Sequence, residues 1–249
     1  MSAVAELERE LERWRAADLS PRLWLRDDDA VEPSPSLDRL LDLARRHEAP
    51  LLLAVIPANA TEALARRLHG EPLAVPCVHG WAHARHTPAP AKAMELGGDR
   101  PTRVVLDELV RGRERLRALF GARLSGILVP PWNRIAPDIA ERVHECGFTA
   151  LSTFDWRSTG TTLPEINTHV DIVDWHGGRG GRDLDWALAE CTRRLAQARE
   201  RGGEPVGILS HHLVHDEQAW ATLDGLMGAL KARGCGFHRA DALVGAPPQ

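Results

Sequence analysis

The residues in this chain that can bind metals or move protons fall into short clusters. They are Arg26-Asp27-Asp28-Asp29, His79-Gly80-Trp81-Ala82-His83, Pro130-Pro131-Trp132-Asn133-Arg134, Asp174-Trp175-His176 and Leu209-Ser210-His211-His212. On a helical turn His79 and His83, spaced i and i+4, project from one face and can grip one ion. Taken singly, each cluster has an ordinary reading. Consecutive aspartates suit a solvated turn or a helix N-cap, histidines at this spacing also occur on plain surfaces, and tryptophans commonly fill cores. Together they mean more, because one carboxylate with two neutral imidazoles leaves coordination positions open for water and substrate. A catalytic ion works in that way, whereas a structural ion sits in a closed shell. Hydrolysis is the chemistry such a site performs.

The clusters converge only if the fold brings them together, and the hydrophobic pattern predicts that it does. Short apolar runs predict strands at Arg22–Arg26, Leu51–Val55, Leu73–Val78, Leu124–Val129, Phe148–Ser152, His169–Val173 and Val206–Ser210, with an eighth at Gly236–Arg239. Helical periodicity predicts helices at Leu37–His47, Thr61–Leu68, Thr102–Phe120, Pro137–Cys146, Asp183–Arg201 and Gln218–Arg233. This alternation over 249 residues predicts a distorted (β/α) barrel of about seven parallel strands, with a doubly wound open sheet as the runner-up. An opening helix, Val4–Ala17 within residues 1–20, is expected to cover one end of a single domain over 21–245. The Pro- and Gly-bearing stretch Thr87–Pro101 reads as a loop over the site. Almost every polar cluster begins where a predicted strand ends, and in a parallel barrel all those ends open on one face.

Composition removes several functions. With 31 Lys and Arg against 35 Asp and Glu the net charge is −4, so no basic field exists to hold nucleic acid or an anionic membrane. No apolar run approaches the roughly 20 residues needed to cross a bilayer. The charged opening residues are unlike a signal peptide, which leads to the expectation of a cytoplasmic protein. The four cysteines, Cys77, Cys146, Cys191 and Cys235, form no C-x-x-C pair and read as reduced core residues.

At the clustered residues the sequence resembles the polysaccharide deacetylase superfamily, carbohydrate esterase family four, whose members carry five short motifs in order on a distorted (β/α) barrel. Arg26-Asp27-Asp28-Asp29-Ala30 is similar to the first motif and His79-Gly80-Trp81-Ala82-His83 to the second. Val129-Pro130-Pro131-Trp132 is similar to the third, Asp174-Trp175 to the fourth and Leu209-Ser210-His211 to the fifth. The resemblance implies that Asp29, His79 and His83 hold zinc or another divalent metal. It makes Asp28 the base that takes a proton from the attacking water, and His211 the acid that protonates the departing amine. It further implies oxyanion stabilisation by the Trp132 N–H, an apolar wall for an acetyl methyl from Trp175 and Leu209, and a bias on His211 from Asp174. Asn133, Arg134 and Arg26 are the remaining candidates for contact with a small-molecule or oligosaccharide substrate.

Two points stay open in the sequence. Strict strand alternation puts Asp27 and Asp29 on one side and Arg26 and Asp28 on the other, so base and ligand share a site only if the strand curls. A register one residue earlier would instead make Asp27 the base and Asp28 the ligand. The family's third motif usually has an Arg where this chain has Val129, which leaves Arg26 or Arg134 to supply a charge for the base. The primary expectation is a metal-dependent hydrolase that removes an N-acetyl or related acyl group from an amino sugar or other amide. The alternatives are a catalytically impaired carbohydrate-binding or regulatory barrel, and an amidohydrolase acting on a non-sugar amide.

Overall fold

A computed structural model describes residues 2–178 and 180–246. The order of elements is α1 (Ala3–Ala16), β1 (Leu23–Ala30), α2 (Pro35–His47), β2 (Leu51–Val55), α3 (Glu62–Leu68), β3 (Ala74–His79), α4 (Thr102–Phe120), β4 (Ile127–Val129), α5 (Pro137–Ala140) and β5 (Ala150–Leu151). It continues through β6 (Thr168–Asp171), α6 (Leu184–Glu200), β7 (Val206–Ser210), α7 (Glu217–Lys231) and α8 (Ala240–Leu243). The seven strands form one sheet in the order β5-β4-β3-β2-β1-β7-β6. The registered pairs β1–β7, β3–β4, β4–β5 and β6–β7 are all parallel, as expected of a distorted (β/α) barrel.

Strands β2, β3 and β7 are buried at every residue. Continuous burial is the signature of parallel strands covered on both faces, and it explains why these runs lack polar alternation. The eighth predicted strand does not form, since Gly236–Arg239 contributes only an isolated bridge from Phe237 to Leu23. The predicted helix over 137–146 divides into α5 and a 3-10 turn at Val143–Cys146. Helix starts follow side-chain caps: Thr61 accepts from Leu64 N–H, Asp183 from Trp186 N–H and Asp216 from Ala219 N–H.

The chain forms two compact units. One comprises 1–27, 35–51 and 168–249, and the other comprises 28–34 and 52–167. In the first, Leu7, Leu11 and Trp14 make the buried stripe of α1. This helix runs along α6, where Trp14 Nε1 donates to the Leu195 carbonyl at 3.2 Å and Glu10 pairs with Arg199 at 2.8 Å. Helix α1 thus packs against α6 within this unit. Arg39 and Arg46 of α2 pair with Glu217 and Asp224 of α7. In the second unit α4 is held by Arg115, which donates to the carbonyls of Pro57 and Ala60. Arg123, just beyond α4, donates to the carbonyls of Leu68, Glu71 and Ala74. All four cysteines are buried. Among the described residues no helix is long and apolar enough to cross a membrane.

Candidate active site

Strand β1 departs from an apolar pattern at its C-terminal end, where Arg26 and Asp27 have no exposed surface and Asp28 is only 2% exposed. Buried charge in a parallel strand is costly unless it is paired, and it marks this strand end as the place where chemistry is held. Asp29 adopts φ +76°, a left-handed conformation uncommon for a residue with a side chain. That turn breaks the in-out alternation of the strand. It brings Asp29 Oδ1 to 3.1 Å from His79 Nε2 and 3.3 Å from His83 Nε2.

One ligating atom from each of Asp29, His79 and His83 lies within 4.8 Å of the others. His79 Nδ1 is 2.9 Å from the Val129 carbonyl. A carbonyl only accepts, so the ring proton sits on Nδ1 and the Nε2 lone pair faces Asp29 and His83. Burial lowers the pKa of His83, aided by His79 and opposed by the Asp29, Glu95 and Asp28 carboxylates, which keeps its imidazole neutral. A carboxylate and two neutral imidazoles, one of them with its tautomer fixed by a second partner, fit a divalent ion. Asp29 is the member of the triplet that forms this cluster with the two histidines.

The turn that carries His83 is built by residues without obvious chemistry. Gly80 takes φ +59°, and a Cβ there would stand 2.0 Å from Glu95 Oε2 and 2.6 Å from Pro131 Cγ, so only glycine fits. His83 itself takes φ +54°. The carboxylate of Glu95, fully buried, accepts from the N–H groups of Trp81, Ala82 and Ala84. The stretch expected as a loop over the site thus sends Glu95 into the turn between the two histidines. Trp132 packs against His83 with ring centroids 4.2 Å apart, and Trp132 and Asn133 both take left-handed φ. Arg134 donates to the Ala93 carbonyl at 2.9 Å, and desolvation lowers its pKa.

In the other unit β1 pairs with β7 so that Asp27 lies opposite Ser210. Asp27 accepts from the Ser210 hydroxyl at 2.6 Å and the His212 N–H at 2.9 Å, and its Oδ1 lies 2.5 Å from His212 Nδ1. These contacts bracket His211 on both sides. Burial pushes the Asp27 carboxyl up, but His212, with His215 and Ser210, outweighs it and holds the pKa below the usual carboxylate value. The His211 and Trp175 rings form a T-shaped pair, at 4.8 Å between centroids, and Trp175 Nε1 donates to Asp171 at 2.8 Å.

Several sequence candidates sit differently from expectation. Asp174 accepts from the N–H groups of His176 and Gly177 and pairs with Arg182 at 2.9 Å, because a short carboxylate readily bonds its own turn. Its carboxylate is engaged there rather than with His211. Arg26 and Leu209 are 0% and 1% exposed, so neither offers accessible surface to a ligand. Trp175 is 39% exposed and does offer one. Sequence reading missed Glu95, a lone acidic residue in a loop with no spacing signal, and the partnership of Asp27 with His212. The only hint of the latter was that both lie beside residues already singled out.

This α/β architecture is a fold that solved family 4 carbohydrate esterases share. Neither a protein-family model nor a curated protein matches the chain. Among solved structures, a family 4 carbohydrate esterase from Streptomyces lividans in complex with acetate superposes with a TM-score of 0.60 at 16% identity, covering 93% of this chain and 100% of that one. A peptidoglycan N-acetylglucosamine deacetylase gives a TM-score of 0.59 at 18% identity, over 92% of this chain and 91% of that one. A family 4 acetyl xylan esterase from Clostridium thermocellum in complex with a cobalt ion gives 0.53 at 16% identity, over 89% of both chains.

Proposed function

We propose that this chain is a metal-dependent hydrolase that removes an N-acetyl or related acyl group from an amino sugar or similar amide. The observation that carries the reading is the Asp29–His79–His83 cluster, with ligating atoms from all three within 4.8 Å and the His79 tautomer set by the Val129 carbonyl. Likeness to a solved deacetylase and to an acetyl xylan esterase holding cobalt supports it. Zinc or another divalent ion, held by these residues, would polarise the acyl carbonyl and lower the pKa of water toward about 7.

Asp28, next to the ligand Asp29 and almost fully buried, takes a proton from the attacking water as the oxygen–carbon bond forms. His211 protonates the amine nitrogen as the carbon–nitrogen bond breaks, which yields a carboxylic acid and a free amine. The Trp132 N–H, the first main-chain donor after Pro130 and Pro131, serves the developing oxyanion. Trp175, exposed and packed on His211, walls the acyl group. Asn133 and Arg134 border the substrate from the turn after β4.

Acetate release from a panel of N-acetyl sugars by metal-loaded protein, beside Asp28→Asn, tests the reading. Turnover by the parent and its loss of at least about 100-fold in the variant is the expected result. Val129 favours a second reading, a barrel that binds carbohydrate without turnover. Its side chain is buried and apolar, and it supplies no charge for the base. Tight sugar binding with no acetate would select that reading, and turnover of only a non-sugar amide would move the substrate class.

A further inference from the structure

We infer that Glu95 is the positioning residue of the candidate metal centre, setting the turn that presents His83 beside His79 and Asp29. The inference rests on the reading of those three residues as metal ligands and adds a fourth, non-ligating participant. His79 ends a strand and is held by the Val129 carbonyl, so its place is set by the sheet. His83 has no such frame. It lies three residues after Gly80, which takes φ +59°, and itself takes φ +54°, a conformation that a side-chain-bearing residue rarely adopts. Something must hold the turn in that state.

The contacts of Glu95 supply the hold. Its Oε1 accepts from Ala82 N–H at 2.7 Å and Ala84 N–H at 3.1 Å, on the two sides of His83, and its Oε2 accepts from Trp81 N–H at 3.0 Å. Three inward-facing donors in so short a span form a concave anion seat, and the carboxylate fills it from inside the protein with no exposed surface. The absent Cβ of Gly80 makes room for it, since a methyl there would meet Glu95 Oε2 at 2.0 Å. Glu95 is anchored in turn. Leu96 bridges Ile135, Ala136 N–H donates to the Leu96 carbonyl at 2.8 Å, and Gly97 N–H donates to the Glu95 carbonyl at 3.0 Å. One buried side chain therefore ties the His-Gly-Trp-Ala-His turn to the segment after Pro130-Pro131-Trp132.

Glutamine cannot substitute. It offers one acceptor oxygen and one NH2 donor, so at least one of the three N–H groups would face another donor. Aspartate keeps both oxygens but withdraws them by one methylene.

The test is Co²⁺ binding to metal-free protein, read by competition with a chromophoric chelator and by the visible absorption of the bound ion. Wild type, Glu95→Gln, Glu95→Asp, His79→Ala and His83→Ala are compared. Glu95→Gln is expected to weaken Co²⁺ by about 10–100-fold and to alter the intensity of its visible bands, with Glu95→Asp falling between it and wild type. A role in folding alone would lower the unfolding midpoint and leave affinity and spectrum of the folded protein unchanged, and that result overturns the inference. Should Glu95→Gln fail to fold, Glu95→Asp decides by the same criterion. Wild-type Co²⁺ retention in both histidine variants would instead overturn the metal assignment itself, which separates the two failures.

Discussion

Removing the Asp27 carboxylate should cost more than any surface substitution in this protein, and the structure gives the scale. Asp27 is fully buried and serves the Ser210 hydroxyl, the His212 N–H and the His212 ring. Asp27→Ala leaves three polar groups without their acceptor, each worth about 1–3 kcal/mol when orphaned. The Ser210 hydroxyl can rotate toward another acceptor, so the net loss is about 3–5 kcal/mol, the range for breaking a buried charged pair. Asp27→Asn keeps the shape and one acceptor oxygen but turns an NH2 toward one side of the network, which His212 can meet by moving its ring proton from Nδ1 to Nε2, so it should cost less, about 1–2 kcal/mol. Urea unfolding at pH 7 measures both. The pH dependence follows from the sign of the shift. Despite its burial, the Asp27 carboxyl is held below its ordinary value by His212 and its neighbours. Its stabilisation is therefore complete above the unfolded value of about 3.9 and is lost as pH falls through the lower folded value. The gap between wild type and Asp27→Asn should accordingly narrow below about pH 4. A loss under about 1 kcal/mol in Asp27→Ala, or equal losses in the two variants, would refute the role assigned to this network.

Two further outcomes follow from neighbouring features. Burial lowers the pKa of His215 to about 4, so the folded chain refuses a proton that the unfolded chain binds below about 6.5. Stability present above about pH 6.5 should be lost as pH falls toward 4, by up to about 3 kcal/mol, and His215→Gln should flatten that slope in urea titrations; an unchanged slope removes His215 as its source. Gly80→Ala places a methyl at φ +59°, 2.0 Å from Glu95 Oε2 and 2.6 Å from Pro131 Cγ. Conformation and overpacking together cost about 2–5 kcal/mol, a fall of roughly 5–15 °C in Tm by calorimetry, and a change below about 2 °C would show that the turn yields freely.

Much of the fold was legible because its strands are short, wholly apolar and separated by amphipathic helices. β2 and β7 lie where the runs Leu51–Val55 and Val206–Ser210 predict, and α4 spans the predicted Thr102–Phe120. Errors gathered at ends and exceptions. β1 runs on to Ala30 through three aspartates that no hydrophobic pattern would include; Asp27 stands opposite Ser210 of β7, and Asp29 is drawn to His79 and His83. The eighth strand was lost because its residues make a single bridge instead of a ladder. In the site, His79 and His83 announced themselves by spacing. Glu95 did not, since its importance lies in main-chain N–H groups that carry no residue identity.

The order of elements, the parallel sheet and the clustering of acidic and imidazole residues at strand ends were determined by the amino-acid sequence, because periodicity and residue chemistry are properties of the chain alone. Which aspartate joins the histidines, what holds the His83 turn and where Asp174 directs its charge were decided only by tertiary structure. Those outcomes depend on left-handed backbone at Asp29, Gly80 and His83, and on a buried carboxylate arriving from a distant loop. A backbone conformation chosen to satisfy remote hydrogen bonds leaves no periodic trace in the residues that adopt it.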